Sequence, residues 1–185
     1  MTVSRTAVGQ GATTVARLGL AAVWLVAGFA KVGSPEAMVR SVRAFRLLPE
    51  ALVQPVGYAV PFLEIALGLL LLAGVATRAM AVVSALLLAV YVGAITSAAA
   101  RGLRIDCGCF SAGGDLSAGA PTRYPQEILR DGALLVLSVL LARWPAALLS
   151  VDRLFERTPA AALPARAVPA DRAPADRAPA SRELA

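Results

Sequence analysis

The stretch VGYAVPFLEIALGLLLLAGVATRAMAVVSALLLAVYVGAITSAAA, residues 56–100, decides the fold. It divides at Thr77-Arg78 into two apolar runs, 56–76 and 79–100. Each is about as long as a helix needs to cross a hydrocarbon layer of roughly 30 Å. The break between them is very short, so the two helices are expected as antiparallel neighbours. The first run carries a single charge, Glu64, well inside it, and the second carries none.

The pattern repeats on either side. Residues 15–32 form an earlier apolar run that holds Arg17 near its start, Trp24 in the middle and Lys31 near its end. A basic start before an apolar centre also fits a cleavable signal peptide. No clean small-x-small cleavage site is in place and Lys31 follows directly, so a retained span is expected. Downstream, Asp131 and Arg143 bracket a charge-free segment shorter than a full span. It crosses if Arg143 snorkels to an interface with Trp144 as an anchor, and a re-entrant segment is the alternative. The expected fold is all-α: a four-helix transmembrane bundle over residues 15–151. Residues 1–14 are polar and small and give no structural signal. Residues 152–185 are rich in Ala, Pro and Arg, with the near-repeat PADRA at 169–173 and 174–178. Almost nothing there can enter a core, so a disordered tail is expected.

Composition agrees with a membrane protein. Of 185 residues 58% are hydrophobic, above the half or so usual in a soluble domain. The net charge of +6 is spread along the chain as arginine, with no basic block interleaved with aromatics. Nucleic-acid binding is therefore not expected.

Two further features shape the bundle. Between the first two runs, Ser34-Pro35-Glu36 reads as a helix start. Arg40, Arg43 and Arg46 then recur every third residue, with Met38, Val42, Phe45 and Leu48 on the other side. This predicts an amphipathic helix in the headgroup region, with a solvated helix against the bundle as its plainer reading. In the third run Ala81, Ala85, Ala89, Gly93 and Ser97 recur every fourth residue, a small-residue stripe of the kind that lets membrane helices approach closely.

The chemistry centres on Arg104-Ile105-Asp106-Cys107-Gly108-Cys109-Phe110, which holds both cysteines of a chain without histidine. A disulfide across one glycine closes a very small ring, with Gly108 supplying backbone freedom. So small a ring contributes little as a staple, and its strain suits exchange rather than architecture. Arg101 and Arg104 favour the thiolate and Asp106 opposes it. A tetrahedral zinc site would need Asp106 and Asp115 or a second subunit to complete it, so no metal and no cofactor is expected. Two idle, buried cysteines are the plain alternative. Glu64 is presumed functional or paired, because an ionisable group at membrane depth is costly. Lys31 or Arg78 could be its partner. Tyr91 and Ser138 carry no constellation and read as packing residues.

Four spans place both termini on one face and the cysteine loop on the other. Lysine and arginine near the span ends count six on the termini side and eight on the loop side, which leans against the termini being inside. Disulfides persist outside the cytoplasm, and on that ground the loop is placed extracytoplasmic and the termini cytoplasmic.

Gly28-Phe29-Ala30-Lys31, Pro61-Phe62-Leu63-Glu64 and Asp106-Cys107-Gly108-Cys109-Phe110 resemble the MauE branch of the DoxX-like membrane proteins. The resemblance covers roughly residues 15–149, and Cys-Gly-Cys-Phe is its specific part. It implies a redox-associated four-helix protein of the cell membrane, tied to methylamine utilisation. There such proteins support disulfide formation or transport during methylamine dehydrogenase maturation, beside a thioredoxin-like partner. Carried over, Cys107 and Cys109 become the redox pair, and Lys31 and Glu64 bundle contacts. The chain departs from the pattern at Ser111, where relatives often continue with glycine, and it has no second cysteine pair. The leading expectation is thiol–disulfide exchange with an extracytoplasmic thioredoxin-like protein, in the lipid bilayer and with a homo-oligomer allowed. A non-catalytic assembly factor and a small proton-coupled transporter built on Glu64 are the alternatives.

Overall fold

A computed structural model describes residues 2–108 and 113–144, with side chains from residue 9 onward. The chain is mostly helical, with five helices: α1 (Thr2–Val32), α2 (Pro35–Ala44), α3 (Glu50–Ala73), α4 (Thr77–Ala100) and α5 (Tyr124–Arg143). Two short strands, β1 (Ile105–Asp106) and β2 (Gly114–Asp115), pair antiparallel with Ile105 opposite Asp115. The all-α expectation did not include this pair. The C-terminal tail and residues 145–151 lie outside the described residues.

Three segments are long and apolar enough to cross a membrane: Gly9–Val32, Glu50–Ala73 and Thr77–Ala100. Only 39%, 33% and 22% of their most apolar windows are buried within the chain, so most of that apolar surface faces outward. Val26, Phe29, Phe62, Leu86 and Val90 are all more than half exposed. A water-soluble chain would not leave so many large apolar side chains uncovered. The outward face is matched to lipid.

The element bounds differ from the sequence reading for local reasons. Helix α1 starts at Thr2 and runs through the segment that gave no structural signal. No proline interrupts it, and the Thr13 and Thr14 hydroxyls bond back to the Gly9 and Gln10 carbonyls. Helix α3 starts at Glu50, ahead of Pro55, and holds both Pro55 and Pro61 inside it. It stops at Gly74, which adopts the left-handed conformation at φ 70°. Val75 N–H bonds back to the Leu70 carbonyl across this glycine, the closure that satisfies a helix C-terminus. Thr77 already belongs to α4, so the connection is 74–76 rather than Thr77-Arg78.

Packing also differs. Helix α3 packs chiefly on α1, and α4 chiefly on α5, while α3 and α4 share a much smaller contact. The small-residue stripe of α4 does not make the close contacts: Ala89 and Gly93 are exposed, and a Cβ on Gly93 would meet nothing within 4 Å. The buried face of α4 is Thr77, Ala81, Ser84, Leu88, Ile95 and Ala98. Glycines of α1 and α3 make the close approaches instead. A Cβ on Gly28 would lie 2.6 Å from Ile65 Cγ1 and 3.0 Å from the Pro61 carbonyl oxygen, and one on Gly68 would lie 2.6 Å from Leu25 Cγ.

The buried apolar residues form two clusters. One joins Leu20, Trp24, Leu67, Leu71, Leu88 and Leu141; the other joins Ala44, Ile95, Ala98, Ile105, Cys107 and Tyr124. Tyr91 packs against both. Arg17, read as a flanking charge, is 1% exposed. Its Nη1 donates to the Leu71 carbonyl at 3.0 Å, so it serves the open C-terminus of α3 from within the bundle.

Candidate functional site

The site is built where the segment after α4 folds back over α2. Tyr124, at the start of α5, fixes its entry: the Tyr124 hydroxyl donates to the Leu103 carbonyl at 2.6 Å and accepts from Ile105 N–H at 3.0 Å. Pairing of β1 with β2 then turns the chain, and Cys107 follows β1 directly. Ser41, buried on α2, donates its hydroxyl to the Cys107 carbonyl at 2.9 Å. Gly108 takes φ +72°, and a Cβ there would lie 2.6 Å from Ser41 Oγ. Glycine is needed twice at this position, for the left-handed backbone and for the close seat on α2. Gly113 is under the same constraint, with φ +65° and Ser41 Cβ 2.7 Å from an added Cβ. Helix α2 thus buries Met38, Ser41 and Ala44, whereas Leu48, assigned by sequence to its apolar side, lies beyond its end and is 38% exposed.

Cys107 is 6% exposed. Its thiol hydrogen-bonds the Glu127 carboxylate in the first turn of α5. Burial pushes Glu127 above the usual carboxylate range; the bond from Cys107 opposes this, and the negative charge of Asp106 adds to it. Glu127 Oε2 is buried with no hydrogen-bond partner among the described residues. Asp106 is held by Gly108, whose N–H donates to Oδ1 at 2.9 Å. Sulfur and carboxylate oxygens of Asp106, Cys107 and Glu127 all lie within 4.8 Å of one another. This is the set that could hold a metal ion, but the thiol–carboxylate bond gives it a simpler use: a proton can pass from sulfur to a carboxylate whose affinity for it is raised.

The two nearby arginines have backbone partners. Arg104 donates to the Ala120 carbonyl at 2.5 Å, and Arg101 to the Phe45 carbonyl at 2.6 Å. Both organise backbone. Asp115 lies away from the thiol cluster, 4.0 Å from Arg46. Cys109 and Phe110 lie outside the described residues. Sequence reasoning missed Ser41, Tyr124 and Glu127. Glu127 carried only the signal of an acidic residue in a helix's first turn, where helix polarity alone would favour one.

A second polar cluster lies inside the bundle. Lys31 Nζ is 2.5 Å from Glu64 Oε1, with the two side chains 5% and 0% exposed. Of the two sequence candidates, Lys31 is the partner. Tyr91, read as packing, donates its hydroxyl to the same Oε1 at 2.6 Å. Lys31 Nζ also lies 5.6 Å from the centre of the Tyr91 ring, within reach of a cation–π contact. Glu64 Oε2 has no hydrogen-bond partner among the described residues. Nearby, Trp24 Nε1 donates to Ser84 Oγ at 2.9 Å. Ser138 donates to the Leu134 carbonyl of its own helix, as a packing residue would.

Outward apolar helices and a buried ion pair define a helical membrane protein, with the Cys107–Glu127 cluster as its candidate site. The sequence places it further: residues 10–144 match the family of methylamine utilisation protein MauE, and the chain belongs to that family. No curated protein and no solved structure matches the chain.

Proposed function

We propose that the protein exchanges disulfides with an extracytoplasmic thioredoxin-like protein, using Cys107 and Cys109, in support of methylamine dehydrogenase maturation. The observation that carries this reading is the Cys107 thiol held against Glu127. When Cys107 attacks a disulfide of the partner, its proton passes to Glu127 and one partner sulfur leaves as thiolate. The mixed disulfide is then resolved by Cys109, two residues on in the chain. A Cys107–Cys109 bond forms and the partner leaves with two thiols. The reverse sequence oxidises the partner, and each direction is balanced in electrons and protons.

In this reading the part of α5 from Asp131 to Arg143 is the fourth span, its first turn with Glu127 lies outside the bilayer, α2 lies at the interface with its arginines toward headgroups, and the loop faces the outside. The kinship with DoxX-like proteins belongs to the same proposal. Lys31, Glu64 and Tyr91 hold the bundle together, which supports a structural use of Glu64 over a transport one. The uncovered stripe at Ala89 and Gly93 favours a second reading, a non-catalytic assembly factor. The test is a trapping experiment. With Cys109→Ser, the thioredoxin-like partner should be captured as a mixed disulfide on Cys107, and Cys107→Ser should abolish capture. Full maturation activity in the Cys107→Ser/Cys109→Ser double variant would leave only the assembly reading.

A further inference from the structure

Between α2, the start of α3 and the second half of α4 lies a cavity of about 280 Å³. An engineered apolar cavity of about 150 Å³ already takes up benzene, so this one has room for a ligand. Leu47, Leu48 and Val90 line it and are exposed, so it opens on the outward apolar surface. Its wall is apolar except at Lys31, Ser41, Tyr91 and Cys107, and each of these already engages the protein. Lys31 and Tyr91 donate to Glu64, Ser41 donates to the Cys107 carbonyl, and the Cys107 thiol bonds Glu127. What the cavity presents to an occupant is therefore mainly hydrocarbon surface.

We propose that this cavity holds one acyl chain of an anionic phospholipid, whose phosphate sits on Arg46 and Arg101 at the outer end. The inference draws on the interfacial placing of α2 and not on the thiol chemistry. Arg46 falls in the chain between Phe45 and Leu47, both lining residues. Arg101, the C-cap of α4, donates to the Phe45 carbonyl at 2.6 Å and reaches the Arg46 carbonyl at 3.5 Å. Two cations thus stand together at the rim. Arg101 spends three of its five N–H groups on the Phe45, Arg46 and Ser97 carbonyls, which leaves two to face a phosphate. Arg46 pairs with Asp115 at 4.0 Å, with both side chains mostly exposed. That contact is too long for a hydrogen bond and is screened by water, so a phosphate can displace it.

The lengths agree as well. Leu87 is the lining residue of α4 furthest from Arg101, and the helix between them spans about 21 Å at 1.5 Å per residue. Half a bilayer with its headgroups is also about 20 Å. With the two arginines at the level of the phosphates, the inner end of the cavity lies near the middle of the membrane, where an acyl chain ends. A neutral lipid would fill the same space and leave the guanidinium groups unmatched, whereas an anionic one answers both the apolar wall and the charged rim.

The test is native mass spectrometry of the full chain, released from detergent after titration with an equal mixture of phosphatidylglycerol and phosphatidylcholine of the same chains. Binding should saturate at one tightly held lipid per chain. An arginine at a membrane surface gains roughly fivefold in attraction for anionic lipid, so two should favour phosphatidylglycerol at least about tenfold. Ala94→Trp, which fills the cavity, should lose the held lipid of either kind. Circular dichroism shows whether it keeps its helices, and Val60→Trp, on the α3 side of the same cavity, serves if it does not. Arg46→Gln/Arg101→Gln should keep one lipid and lose the preference, and Arg46→Lys/Arg101→Lys should restore it. Lipid that is held equally by the folded cavity-filling variants, or that never saturates, would overturn the inference. So would a preference that survives loss of both arginines, or none in the parent chain. A chain that holds no lipid and appears as a dimer would give the cavity to a second copy, and would overturn it too.

Discussion

Removing the charge of Lys31 tests the bundle's internal logic. Its ammonium sits 2.5 Å from Glu64 Oε1, with both side chains almost wholly buried. At an effective dielectric constant near 20 the attraction at that separation is about 6–7 kcal/mol. Taking two ions from water costs several kcal/mol each, so the intact pair is close to break-even. Lys31→Met removes the attraction but leaves Glu64 desolvated, and such a broken pair costs about 3–5 kcal/mol. Tyr91 still donates to Oε1 and cannot replace a full charge. Lys31→Met/Glu64→Leu removes both ions and should recover most of the loss. Unfolding in detergent micelles, followed by the emission of Trp24, which is 2% exposed, reads all four corners of the cycle. A Lys31→Met variant as stable as the parent, or a double variant less stable than both singles, would refute the reasoning.

Other outcomes follow from the same geometry. Gly28→Ala should cost about 1–3 kcal/mol as an overpacked contact, because the Pro61 carbonyl that its Cβ meets is backbone; Gly93→Ala, facing open space, should be near neutral in the same unfolding assay. Gly108→Ala should lift the loop from Ser41, and Cys107 should then react faster with an alkylating reagent in the folded protein. Glu127→Gln should slow thiol oxidation about 10²-fold at pH 6, the low end for loss of a general base, with the deficit closing toward pH 9 as the thiol ionises unaided. Loss of the negative charge alone would ease thiolate formation, so a faster variant would contradict the base role. Because the folded state holds the Glu127 proton more tightly than the unfolded chain, it binds more protons between the ordinary glutamate range and the raised one. Stability is therefore fuller below that window and falls as pH rises through it; the melting temperature against pH should show this slope, and Glu127→Gln should flatten it.

The membrane fold was readable because long apolar runs have few other uses, and Lys31 and Glu64 were readable because charge inside such runs is rare. What escaped depended on contacts between segments. The periodic stripe on α4 marks a line of small residues, but a line alone does not say whether a neighbour lies against it. The neighbour lies against Gly28 and Gly68 instead, whose spacing was unremarkable. Arg17 looked like a flank because the helix was taken to begin at residue 15; with α1 reaching back to Thr2, the same arginine falls inside the bundle. Tyr91 and Glu127 gained their roles from partners 27 and 20 residues away, Glu64 and Cys107, which no local pattern brings together. The Cys-Gly-Cys element announced itself through its rarity, but its seat on Ser41 required the packing of α2.

Exchange with an extracytoplasmic partner requires two thiols that are oxidised in air and lie on the outer side of the membrane. Intact cells grown in air should be treated with a membrane-impermeant alkylating reagent, before and after an impermeant reductant, and the mass of the recovered protein measured. Cys107 and Cys109 should be unlabelled at first and take two labels after reduction. Thiols that remain unlabelled after reduction, yet label freely once the membrane is opened, would place the loop in the cytoplasm and contradict it.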